Sequence, residues 1–545
     1  MSGPLKLLSA VAMLAIMAGC ARSGAPTPTP NEPTPPPASA PAKQNRDVAI
    51  AMWSAPNNFN PINTDSNYGG LPIGIMFDSL ATWNDKGDFV PRLAEKWDIS
   101  PDYTTYTFHL NPKAKWHDGQ PVTAKDVLFT VNTIANKEIP NNRGAYVALL
   151  KGTDADGKST GAAVEGIKAV DEQTVVITTK APMDPLAVLE KFGTAMPILP
   201  EHILGAVAPK DFDKNPFFMD PKVGSGPFKF GKYAQAQYVQ LVRNDDYYLG
   251  KPKLENVYIR IMQATTAVAA LQKGEIDMTA GSGIGEVPIA DWDKVQKLEN
   301  VDAVSFASKG WQFMDFNFGR DFFKDPKVRQ AFVYGINRKL IVDNLLKGNG
   351  QIIEGPYTSL YKYQDKTIKI RDYDANKAKQ LLTEAGWDFN RNLTLLVPLG
   401  NMVREQSADI IMANLQQIGV KVQVQKMDFP TLQARRAKQD YDLSLVGWSS
   451  LLDPDVTSLV RTGAVYNNGK FANPKADELL DKGLVTAEFN ARKQVYDELQ
   501  KLLYDDPNFV YLYSPNTLAA VSKRMVNVKQ SALGLTWNIY EWDVK

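Results

Sequence analysis

Hydrophobic positions recur along this chain in two periods. Alternation at Val48, Ile50 and Met52 predicts a first strand, which runs into Trp53 and a turn-rich stretch from Pro56 to Pro61. A helix is expected from about Leu71 to Leu80. Pro101-Asp102 is a turn leading into a second alternating strand that ends near Leu110. Asp118-Gly119 signals another turn, and Thr123 reads as the N-cap of a helix carrying Val127, Leu128 and Val131 on one face. Farther on, helical patterns at 376–385, 402–418 and 491–504 alternate with strands at 393–397 and 420–424, the pattern of an α/β layer. The stretch Asp442 to Asp455 begins as a short apolar alternating run. It breaks at Gly447-Trp448 and ends in the acidic turn Asp453-Pro454-Asp455. An aromatic ring and two carboxylates at a strand exit form a candidate ligand-facing group; Asp and Pro also serve turn geometry alone.

The N-terminus changes the picture of where such a chain works. Lys6 precedes the apolar run Leu7–Met17, too short to span a bilayer as a stable helix, and Ala18-Gly19-Cys20 follows. Residues 1–20 resemble a bacterial lipoprotein signal peptide, with Cys20, the only cysteine, as the lipidated first residue of the mature chain; Met17 departs from the usual Leu, Val or Ile. Residues 21–45 are rich in Pro, Thr, Ala and Ser and cannot bury enough apolar surface to fold, so they read as a disordered tether. The expected location is outside the cell, lipid-anchored on the outer face of the bacterial cytoplasmic membrane or in the periplasm.

Composition narrows function mostly by exclusion. The 545 residues call for two or three compact units, and a net charge of +1 offers no bulk attraction to nucleic acid or an anionic surface. Gly152 to Ser159 matches the spacing of a phosphate-binding loop, but Asp154 and Asp156 would repel phosphate and a strand, not a helix, is expected next. Gly157 to Gly161 spells a nucleophile elbow without the strand–turn–helix setting or a histidine partner that chemistry needs. His109, His117 and His202 lack metal-ligand spacing. No catalytic residue, metal site or cofactor is therefore expected.

An ordered series of motifs carries a family resemblance: Trp116-His117-Asp118-Gly119-Gln120-Pro121-Val122-Thr123-Ala124-Lys125-Asp126-Val127, Val223-Gly224-Ser225-Gly226-Pro227-Phe228, Arg243-Asn244-Asp245-Asp246-Tyr247-Tyr248, Leu271 to Asp277, Val328 to Phe332 with Ile336-Asn337-Arg338, and Ala378 to Leu382 leading into Ala385-Gly386-Trp387. From Asp47 to the C-terminus the chain resembles the family 5 extracellular solute-binding proteins, the peptide and nickel receptors of ABC importers. The resemblance implies a bilobed α/β periplasmic-binding-protein fold with an extra inserted domain, whose hinged lobes close on a ligand. Residues 46–79, 197–265 and 511–545 would form lobe I, 80–196 the inserted domain and 266–510 lobe II.

It also implies a site. Trp448 matches an aromatic at the cleft. The Asp that pairs with a ligand ammonium three residues later in many peptide receptors is Leu451 here, so either Asp453 or Asp455 takes that role, Asp455 being preferred, or the ligand has no free amine there. Phe429 matches a cleft aromatic, and Arg404 or Arg436 would hold a ligand carboxylate by a bidentate fork; Arg435-Arg436 equally suits a solvated helix face. Asn67 and Tyr68 match the cleft loop after the first strand, and Tyr146 an aromatic at the ligand's far end. The expected function is a monomeric, membrane-tethered receptor that captures an oligopeptide and hands it to ABC permease subunits. An oligosaccharide or metal-chelate ligand on the same fold, and a tethered hydrolase, are the alternatives.

Overall fold

The first predicted strand, Asp47–Met52, is buried along its whole length. Alternation puts Val48, Ile50 and Met52 into one core and the smaller Ala49 and Ala51 into another on the opposite face. The strand runs parallel to Asn256–Ile261 and to Met278–Thr279. A strand with both faces covered needs a continuous apolar run, and Val48 to Met52 supplies it after Asp47.

The computed structural model describes residues 46–64, 67–281, 283–449 and 451–545, without the side chain of Asn67. The signal peptide, the tether, the lipidation of Cys20 and the expected contact of Asn67 lie outside the described residues.

Three main sheets organise the described chain. The first places its strands in the order Val301–Phe306, Thr517–Ser522, Met278–Thr279, Asp47–Met52, Asn256–Ile261, Tyr238–Arg243 and Phe228–Ala234. The second runs Gly350–Ile352, Phe509–Pro515, Trp311–Phe316, Leu443–Trp448, Asn392–Pro398 and Lys421–Met427. A four-stranded antiparallel sheet of Ala94–Ile99, Thr105–Leu110, Thr174–Thr178 and Ile167–Ala169 forms the inserted domain. Two lobe boundaries shift from those expected. Met278–Thr279 and Val301–Phe306 pair within the first sheet, so lobe I extends past 265 to Phe306, and Phe509–Pro515 pairs with Trp311–Phe316, so lobe II ends at 515. Local periodicity marks these strands but cannot say which sheet they join.

The helix expected at 71–80 forms earlier, at Asn67–Met76, with Pro72 inside it. Gly69 allows the close approach: a Cβ there would stand 2.5 Å from Thr64 Oγ1 and 3.0 Å from Asn58 O. The helix Ala124–Ala135 begins after Thr123 as expected. The Asp126 carboxylate accepts from the Thr123 amide at 2.8 Å, and Val127 and Val131 are buried. The loop resembling a phosphate site serves that same helix. Lys158 Nζ donates to the carbonyls of Asn136, Ile134 and Ile139 at 2.9, 3.2 and 3.3 Å, placing a cation at the helix's C-terminal end.

The Trp-His-Asp-Gly and Gly-Ser-Gly-Pro-Phe motifs meet each other. His117 Nδ1 accepts from the Gly224 amide at 3.0 Å, which leaves Nε2 protonated to donate to the Gly226 carbonyl at 2.9 Å. A Cβ at Gly224 or Gly226 would fall 2.2 Å from Met76 O or 2.3 Å from Ile75 O. The contact joins the inserted domain to lobe I, and one core cluster runs through both.

Burial pushes His117 down to about 4, so the folded protein holds it neutral. The unfolded chain binds a proton near pH 6.5, so stability is full above that value and is lost as pH falls from about 6.5 toward 4, by up to about 3 kcal/mol. Denaturant titrations across that window should show the slope, and His117→Gln should remove this component.

Candidate functional site

Two antiparallel strand connections join the lobes. Val301–Phe306 pairs with Thr517–Ser522 in lobe I as far as Phe306 opposite Thr517, and Trp311–Phe316 pairs with Phe509–Pro515 in lobe II. The chain crosses at 307–310 and again at Asn516. Ser514 Oγ donates to the Gly310 carbonyl at 2.7 Å and Asn516 Nδ2 to Ser305 Oγ at 3.0 Å, tying the crossings together. Such a two-stranded ribbon has the form of a hinge.

Beside this ribbon lies a cavity of about 300 Å³ with walls from both lobes. Trp53, at the end of the first strand, and Glu286 come from lobe I; Gln312, Asn401 and Tyr513 come from lobe II. Asn401 caps the helix Met402–Gln417 by accepting from the Arg404 amide at 2.9 Å, which fixes Arg404 in the first turn. Arg404 Nε donates to Gln312 Oε1 at 2.8 Å. Gly447 makes room for both: a Cβ there would stand 2.6 Å from Gln312 Nε2 and 3.0 Å from Arg404 Nη2. Burial pushes the Arg404 guanidinium below its ordinary value. No carboxylate among the described residues makes an ion pair with it. Trp448 follows Gly447, opposite Trp311 in register, half-buried, with its ring edge-on to Tyr466 at 5.1 Å. Arg404 packs against Gly447, the strand position before Trp448.

The acidic turn is used differently from the expectation. Asp453 is only 6% exposed, and its two oxygens take Arg492 Nη1 at 2.6 Å and Nη2 at 3.2 Å. Burial works to raise its pKa, but the Arg492 guanidinium holds it below the usual carboxylate range. Its charge is therefore spent inside lobe II, and an ammonium role is closed to it in this conformation. Asp455 Oδ1 accepts from the Thr457 amide at 2.9 Å and stays half-buried. Arg436 is neither on a solvated face nor turned to a cleft. It is buried with Nη2 2.9 Å from Asp315 Oδ2, and Asp315 also accepts from the Tyr441 hydroxyl.

Phe429 stands 51% exposed at the start of the helix Phe429–Ala437. Tyr68 packs half-buried against the lobe I core. Tyr146 lies under the Arg143 guanidinium at 5.4 Å. Arg143 borders a second cavity, of about 280 Å³, lined also by Gly70, Gly74 and Trp537.

Sequence reasoning passed over Glu190. Its carboxylate reaches from the inserted domain to the acidic turn and accepts from the Leu452 amide at 2.7 Å and the Asp453 amide at 2.9 Å. Burial pushes it up to about 7. An acid directly after the apolar run Pro185–Leu189 was the available signal.

A sheet pair joined by a two-strand hinge, with Trp53, Tyr513 and Glu286 on the wall of a cavity between the lobes, suits a ligand receptor. The family model described as bacterial extracellular solute-binding proteins, family 5 Middle, matches residues 88–470. The chain belongs to this family. Family 5 proteins are substrate-binding receptors, and the chain has their bilobed α/β fold. It is 28% identical over 520 residues to the oligopeptide-binding protein AppA of Bacillus subtilis, covering 92% of each. The structure of that AppA in complex with a nonapeptide superposes with a TM-score of 0.73 at 26% identity, covering 92% of this chain and 99% of that one. The substrate-binding protein CtaP of Listeria monocytogenes gives 0.82 at 27% identity, with 92% and 100% covered. NikZ of Campylobacter jejuni, solved with Ni(L-His), gives 0.73 at 25% identity, also with 92% and 100% covered.

Within this family 5 receptor the two acids of the turn should separate cleanly. Asp453→Asn leaves the Arg492 guanidinium buried without its main partner and should cost about 3–5 kcal/mol of stability. Asp455→Asn weakens a local cap and should cost about 1 kcal/mol or less. Urea unfolding of the two variants checks the order.

Proposed function

We propose that the protein is the lipid-anchored peptide receptor of an ABC importer. It captures a peptide between its lobes, closes about the 307–310 and 516 crossings, and presents the ligand to the membrane permease. Cys20 carries the anchor and residues 21–45 the tether, so the folded body works as a monomer outside the membrane. The observation that carries this reading is Arg404: a half-buried guanidinium whose Nε donates to Gln312 and which makes no ion pair with a carboxylate among the described residues. A ligand carboxylate is the natural partner for such a group. A relative whose name states oligopeptide binding, AppA, matches over 92% of the chain.

Main-chain hydrogen bonds from the peptide would add affinity, with Trp448 and Trp53 offering flat faces to side chains. A second reading is favoured by the same guanidinium, since a carboxylate-bearing metal chelate satisfies it equally, and the NikZ structure holds Ni(L-His). An oligosaccharide gives Arg404 no counter-charge.

Native mass spectrometry of the purified protein with a synthetic peptide pool should detect bound peptide, returned uncleaved. Arg404→Gln should weaken binding by about ten- to a hundredfold, the worth of one charge-assisted hydrogen-bonded group. Capture of Ni(L-His) without any peptide would replace the peptide reading with the chelate one.

A further inference from the structure

The inserted domain reaches lobe II through two acids. Asp184, the N-cap of the helix Pro185–Val188, accepts from the Tyr363 hydroxyl and stands 3.3 Å from Arg492 Nη1. Glu190, in the next helical stretch Leu189–Thr194, accepts from the Leu452 and Asp453 amides. Asp184, Glu190, Asp453 and Arg492 are all buried, none more than 6% exposed. Trp83 and Leu186 of the inserted domain pack with the lobe II core. The packing is incomplete, because a cavity of about 240 Å³ remains between Trp83 and Leu186 on one side and Leu360 and Leu452 on the other. A permanent core closes such gaps, so this junction has the character of a contact that forms and parts.

Its charges do not balance. Three buried carboxylates share one guanidinium, and Arg492 is already engaged with Asp453 and Asp184. Glu190 makes no ion pair among the described residues. Lys309, on the first hinge crossing, acts on it from farther off, Asp453 opposes its charge, and Lys191 acts on Asp453 in turn. Of the elements packed on Leu189–Thr194, Ala81–Trp83 and Pro185–Val188 have no titratable side chain, and Gly144–Val147 has Tyr146, which lies under Arg143. The two amides favour ionised Glu190, but burial outweighs them and pushes it from an ordinary 4.5 up to about 7. Parting the lobes returns the carboxylate to water and to its ordinary value.

We propose that Glu190 and Asp184 form a clasp by which the inserted domain holds the lobes closed, and that engaging it takes up a proton at Glu190. Both are positioning residues that touch no ligand. The clasp presupposes the reading of a receptor that closes on its ligand, and adds a proton to that step. The closed form binds the proton more tightly, so closure strengthens as pH falls from about 7 toward 4.5 and ceases to respond well above 7.

Calorimetry on the full-length protein with a synthetic pool of histidine-free peptides tests this at pH 5.5 and 7, where the peptide termini keep their charge. Wild type should bind about fifteenfold more tightly at pH 5.5, and buffers of different ionisation enthalpy should show about half a proton taken up per peptide at pH 7. Glu190→Gln mimics the neutral side chain and should bind alike at both pH values with no proton uptake. A purely structural Glu190 would change urea unfolding and leave the variant's affinity profile parallel to wild type, which overturns the proposal. So does a flat wild-type profile, or one that survives Glu190→Gln and is lost in Glu286→Gln, whose carboxylate is also buried between the lobes. Where Glu190→Gln fails to fold, Lys309→Gln decides instead: loss of the nearby cation should move proton uptake to higher pH, and no movement overturns the proposal. Binding of no peptide at either pH overturns the peptide reading, and small-angle X-ray scattering of the free protein then decides the clasp. Compaction of wild type at pH 5.5, present in Glu190→Gln at both pH values, supports it; a radius of gyration blind to pH and to the variant overturns it.

Discussion

A guanidinium taken out of water must find an anion, and this constraint sorts the arginines of lobe II. Arg329 pairs with Asp506, Arg338 with Glu354, Arg436 with Asp315 and Arg492 with Asp453. Each of these is almost wholly buried. Removing either partner strands a charge in the interior, so these pairs are commitments of the fold. Arg404 is the desolvated arginine that the fold leaves unmatched, and it stands where lobe II faces the hinge. The division between structure and function follows from which charges are already balanced.

The same sorting explains what was legible in the sequence. Strands at 47–52, 393–397 and 420–424 and the helices near 376–385 and 402–418 were readable because period and capping act within a few residues. The fates of Asp453 and Arg436 were not, because they depend on Arg492 and Asp315, 39 and 121 residues away. Each was a reasonable ligand group until its partner was known. The boundaries at 265 and 510 moved for a similar reason: Val301–Phe306 and Phe509–Pro515 look alike as sequence, and pairing alone assigns them to different sheets.

The motifs that identify the family turn out to be architectural. His117, Gly224 and Gly226 join the inserted domain to lobe I through hydrogen bonds and through glycines that no side chain could replace without displacing the Asn67–Met76 helix. Lys158, in the loop that resembled a nucleotide site, supports the end of another helix. Close packing demands particular residues at particular spacings, and a recognisable signature results whether or not a ligand is touched. A scaffold held together in this way can serve different ligands.

The hinge adds the last constraint. Gln312, just after the first crossing, lines the cavity between the lobes and accepts from Arg404 Nε, and Asn516, at the second crossing, lines the same cavity. A shift of either crossing therefore reshapes the cavity wall. Withdrawing the Arg404 guanidinium further from water costs free energy unless an anion enters with it. A ligand that brings a negative charge to Arg404 therefore favours closure, and a neutral ligand does not.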